Sequence, residues 1–116
     1  MLSAKGYTGT VTFDGATVTI QRSRFGRSVS ASTGTRIPVS RIMTVRWKKP
    51  GTLINGYISF VVLDSAAHRA LAAGKKYDLV RDENTVVVTR NQEREFLPLL
   101  DAVQAAVSAD RPQQDQ

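Results

Sequence analysis

At 116 residues, 41% hydrophobic and 22% charged, the chain has the size and balance of one globular core, and its composition excludes a disordered polymer. The absence of cysteine excludes disulfides, thiolate metal sites and a cysteine nucleophile. The net charge of +6 is unevenly spread: residues 22–76 carry eleven Lys/Arg against one acid, Asp64, whereas residues 77–116 carry four against eight. Such asymmetry steers association with an anionic partner.

The opening Met-Leu-Ser-Ala-Lys (1–5) and the residues after it hold no apolar core of a secretory signal. No stretch approaches the roughly 18 apolar residues of a spanning helix. A cytoplasmic location is therefore expected, with the membrane surface as the alternative. Gly-Thr-Val-Thr-Phe (9–13) and Thr-Val-Thr-Ile (17–20) alternate apolar and polar residues around Asp14-Gly15. A period of two places Val11 and Phe13 on one face, answered by Val18 and Ile20, and Asp-Gly suits the tight turn of a hairpin.

Residues 23–34, rich in Ser, Gly and Arg, read as a long loop or a strand end. Residues 35–39 alternate again, and Pro38, which has no N–H to donate, assigns that strand to an edge. A short turn at 40–42 leads into a strand over 43–49, with Val45 and Trp47 inward and Arg46 and Lys48 outward. Pro50-Gly51 suits a type II turn. The eight-residue run 56–63 is the most apolar and reads as the central strand. Residues 64–75 read as a loop with at most two helical turns, and 77–81 with 85–90 as a second hairpin about Asp82-Glu83-Asn84.

From Asn91 the period changes to 3.6, with Phe96, Leu100, Val103 and Val107 on one face and Leu97, Leu99 and Ala106 widening it. Asn91 is the expected N-cap, and Pro98 predicts a kink or a later helix start. Residues 1–109 are expected to form the domain and 110–116 a disordered polar tail.

Several of these segments together carry a resemblance. Gly-Thr-Val-Thr-Phe-Asp-Gly (9–15), Val-Thr-Ile (18–20), Ile-Pro-Val-Ser-Arg-Ile (37–42), Val-Arg-Trp (45–47), Gly-Tyr-Ile-Ser-Phe (56–60) and Asn-Gln-Glu (91–93) are similar to a small actinobacterial family of unknown function. The resemblance spans about residues 8–108 and implies a pleckstrin-homology-like (PH-like) fold. That fold is mainly β: a strongly bent antiparallel sheet or orthogonal sandwich of about seven strands, a β-barrel in outline, capped by one C-terminal α-helix. It implies a binding role rather than a reaction.

Catalytic chemistry leaves little trace. The single histidine, His68, follows Asp64 by four positions, a spacing that reads more simply as a solvated loop than as a base with its orienter. One His and no Cys do not build a zinc site, and no glycine spacing matches a phosphate-binding loop. No cofactor, metal, small-molecule substrate or catalytic set is expected. Trp47, Tyr57 and Phe60 read as core or interface.

In phosphoinositide-binding PH-like domains the first hairpin loop supplies the cations. Here that loop is Asp14-Gly15-Ala16, of the wrong sign. The resemblance instead groups Arg22, Arg24, Arg27, Arg69, Lys75 and Lys76 toward the opposite end, joined by Lys48 and Lys49. These eight are candidate anion-binding residues or, equally, solvated loop charges. The expected function is protein binding or self-assembly into a homo-oligomer through exposed sheet edges such as that near Pro38. An anionic membrane surface is the alternative, and nucleic acid is disfavoured for want of interleaved aromatics.

Overall fold

The first hairpin forms as the alternation requires. Strands β1 (Leu2–Lys5), β2 (Gly9–Phe13) and β3 (Thr17–Arg24) run antiparallel, with Val11 opposite Ile20 and Phe13 opposite Val18. All four of those side chains are buried. Gly15 closes the turn at φ 102°, a conformation costly for any residue with a Cβ. Asp14 Oδ1 accepts the N–H of Ala16 and of Thr17, at 2.9 and 2.8 Å.

Those two bonds favour the ionised carboxylate and hold Asp14 below its ordinary value of 3.8. A depressed folded value stabilises the fold fully above 3.8, and the contribution fades as pH falls through the folded value. Asp14→Ala is expected to be less stable than the parent at about pH 7, with the gap closing at about pH 2, as urea titrations at the two pH values would measure.

The computed structural model describes residues 1–24, 27–28 and 34–110, apart from the side chains of residues 23, 24, 27 and 28. Strand β4 (Arg27–Ser28) extends the first sheet, and among the described residues β5 (Thr35–Pro38) pairs with β3 alone, so Pro38 lies there on an edge strand. A 3-10 turn over Val39–Arg41 then redirects the chain into the second sheet, β6 (Ile42–Lys48), β7 (Gly56–Val62) and β8 (Thr85–Val88), with β7 central. The architecture is two antiparallel sheets capped by a C-terminal helix.

The expected β-barrel is a misreading. Both sheets are open, and no strand ladder joins them among the described residues. They meet through single contacts instead: Tyr7 N–H donates to Val87 O at 2.7 Å, and Val87 N–H to Thr8 Oγ1 at 3.0 Å.

Strand β7 is apolar on both faces because both are covered. Ile58 and Phe60 enter the main core, while Val61 packs outward with Ala67 and Leu79. That outer cluster accounts for one expected feature, the two helical turns within 64–75, and for one departure from the pattern. Residues 66–72 form helix α1 (Ala66–Ala72), two turns long, which Ser65 caps by accepting the His68 N–H. Residues 79–81 form a 3-10 turn in place of the expected strand, so the hairpin expected about Asp82-Glu83-Asn84 does not form; the turn buries Leu79 beneath α1, and Tyr77 donates to Asp82 Oδ1. Pro50-Gly51 ends β6, but not as a type II turn, since the left-handed glycines among the described residues are Gly15 and Gly74.

Helix α2 (Glu93–Asp110) closes the open end between the sheets. Its buried face is Phe96, Leu99, Leu100, Val103 and Val107, whereas Leu97 stays 42% exposed. The cap is Thr89 rather than Asn91. Thr89 and Gln92 form a reciprocal capping box ahead of a 3-10 turn over Arg90–Gln92. The helix starts before Pro98 and runs through it. The amide bond that Pro98 forfeits would have reached the carbonyl of Arg94, and both residues are exposed, on the face of the helix that is open to solvent. Of the expected tail, only Asp110 lies among the described residues.

Candidate interaction surfaces

The eight sequence-predicted cations do not converge on one face. Arg22, at the end of β3, reaches across to the second sheet and donates from Nη2 to the carbonyls of Asp82, at 3.1 Å, and Glu83. Its guanidinium thus clamps the turn before β8. Arg24 and Arg27 face each other in the β3–β4 pair, but their side chains lie outside the described residues. Arg69 is exposed on α1, and Lys75 and Lys76 are exposed just beyond its C-terminus, where Lys75 N–H donates to Ala70 O.

Lys48 and Lys49 lie elsewhere. Lys48 is opposite Tyr57 at the start of β7, whereas α1 follows the end of β7. Seven strand residues separate the two groups by about 20 Å.

At the Lys48 end the structure reveals residues that sequence patterning missed. The loop over 49–55 carries Leu53 at 95% and Ile54 at 65% exposure. Pro50 is buried, Gly51 N–H donates to Ile54 O at 2.8 Å, and Arg90 Nη1 lies 3.5 Å from Thr52 Oγ1. Gly56 closes the loop base, because a Cβ there would lie 2.0 Å from Lys48 O. Beside it Arg90, Asn91, Glu93, Arg94 and Leu97 line a shallow cleft of about 480 Å³. The sequence signal was present: two large aliphatic residues in a short loop, just after a Lys-Lys pair.

A second feature runs along β6. Among the described residues, no strand pairs with it on the side away from β7. There Met43, Thr44 and Val45 face Gln104, Val107 and Ser108 of α2 across a groove of about 340 Å³. Val45 and Trp47 are half-buried, and Trp47 tilts against Phe96 with ring centroids 6.4 Å apart. Arg46 and Lys48 are exposed on the opposite face of the strand. Tyr57 and Phe60 are packing residues.

The Asp64–His68 pair is not an acid with its base. Asp64 is held at φ 64° and donates its backbone N–H to His68 Nδ1 at 2.9 Å, so the imidazole helps begin α1. No group of three or more His, Cys, Asp or Glu with metal-binding geometry occurs among the described residues.

A family model for a domain of unknown function, DUF4429, matches residues 11–104, from the first hairpin to the last turns of α2. The chain belongs to the DUF4429 family. No curated protein and no solved structure matches this DUF4429 chain. No helix among its described residues is long and apolar enough to cross a membrane.

Proposed function

We propose that this DUF4429 domain is a non-catalytic, PH-type interaction module that binds an extended protein segment by strand addition along β6. The order of hairpin-rich first sheet, three-stranded second sheet and closing helix supports the PH-type reading. One observation carries the function: among the described residues no strand pairs with β6 on the side away from β7, and the strand runs there beside a groove against α2 lined by both polar and apolar side chains. An added strand gains main-chain bonds from the edge and places alternate side chains in the groove. Its other side chains stand across from Arg46 and Lys48, which favours acidic residues there. The edge near Pro38 is the poorer site, because Pro38 has no donor and Val39 N–H is already given to Ala16 O.

Selection of a random peptide library on the immobilised domain tests this. Enriched peptides should alternate apolar and acidic residues, and a bound peptide should slow hydrogen exchange of β6 amides. No enrichment, or slowed exchange confined to other strands, would refute it. A second copy of the chain is the other occupant the edge admits, and sedimentation over a wide concentration range shows whether it takes that place.

A further inference from the structure

We infer that the loop over 49–55 is a membrane-contact element: Leu53 and Ile54 enter the acyl boundary of an anionic bilayer while Lys48, Lys49 and Arg90 hold its headgroups. This site shares Lys48 with the β6 edge, but it does not depend on strand addition there.

A single exposed leucine is ordinary on a protein surface. Leu53 and Ile54 differ in being adjacent at the tip of a loop that is itself held in shape. The Gly51–Ile54 bond, buried Pro50, the tight Gly56 base and the Arg90–Thr52 contact all keep the two side chains outward. Lys48, Lys49 and Arg90 are exposed, and none is in an ion pair among the described residues. Glu93 is the one carboxylate lining the adjoining cleft, against Arg90 and Arg94.

The ligand must therefore be apolar beneath an anionic surface, and a bilayer of acidic lipid has those layers in that order. A nucleic acid would meet the cations but leave the aliphatic tip without a stacking partner, since stacking platforms are aromatic. Neither signal suffices alone. Two weak ones together make stable attachment, as a lipid chain and a polybasic patch do.

Flotation with vesicles of phosphatidylcholine, alone or mixed with phosphatidylglycerol, tests the assignment. The parent chain should float only with the anionic vesicles and lose binding at high salt. The doubles Leu53→Ser/Ile54→Ser and Lys48→Glu/Lys49→Glu should each weaken binding by about tenfold or more, with unchanged thermal melts. Val80→Ser, an exposed apolar site at the other end of β8, and Arg69→Glu/Lys75→Glu should bind as the parent does. A Leu53→Trp variant should be quenched by brominated lipid. Failure of the parent to float at low salt overturns the inference. So does undiminished binding by the tip double, loss on Arg69→Glu/Lys75→Glu alone, or an unquenched Leu53→Trp.

Discussion

Phe96→Ala is expected to lower the stability of the domain by about 3–5 kcal/mol, more than any other single truncation on α2. The ring is 0% exposed in the first turns of the helix, tilted against Trp47 at 6.4 Å. It lies where α2 bridges β1 and β6, so its loss leaves a cavity between the helix and both sheets. A domain of this size has only about 5–15 kcal/mol in hand, so the variant should unfold at a much lower urea midpoint with a similar slope. Phe96→Leu, which keeps most of the volume, should cost much less. Leu97→Ala, at a 42% exposed neighbour, should change stability by no more than about 0.5 kcal/mol. If Phe96→Ala and Leu97→Ala proved equal, α2 would not be a core element.

Gly56→Ala should be the most damaging substitution outside the core. The added Cβ would lie 2.0 Å from Lys48 O, 2.6 Å from the Pro50 nitrogen and 2.8 Å from the Lys49 carbonyl carbon. All three are backbone atoms, so no side chain can swing away. The ends of β6 and β7 must separate, at or above the roughly 1–3 kcal/mol usual for overpacking. Because the same contact closes the loop base, vesicle binding should fall together with the urea midpoint. Gly51→Ala is the contrast. Its new Cβ would meet only Ile54 O, at an ordinary 3.7 Å, so both measurements should stay near the parent values.

Where the pattern was local, the sequence was a good guide. The hairpin at 9–20, the edge position of Pro38, the central strand beginning at Gly56 and the helical stripe of Phe96, Leu100, Val103 and Val107 all follow from alternation or 3.6-residue periodicity. Strand β1 went unnoticed because its burial rests on Ala4 alone, leaving almost no periodic signal. The expected strand at 77–81 misled because an apolar pair among charged residues fits a strand and a 3-10 turn equally. Leu79 reached its pocket beneath α1 by the turn.

The candidate site was less legible, and its charge asymmetry shows why. Eleven cations between residues 22 and 76 look like one patch along the chain. Antiparallel folding sends Lys48–Lys49 to one end of β7 and Arg69, Lys75 and Lys76 to the other, and it turns Arg22 onto the carbonyls of Asp82 and Glu83. Arg90, 41 residues beyond Lys49 and in the acidic segment, becomes the neighbour of the loop after β6.

The sequence alone determined a cysteine-free, β-rich chain with a basic middle and a closing amphipathic helix, since composition and short-range periodicity suffice for that. Tertiary structure decided that, among the described residues, no ladder joins the two sheets and no strand pairs with β6 on its side toward the α2 groove, and that Leu53 and Ile54 face outward among cations. Each of these depends on which residues meet across long separations in the chain. An apolar side chain has the same local pattern whether a neighbour covers it or nothing does.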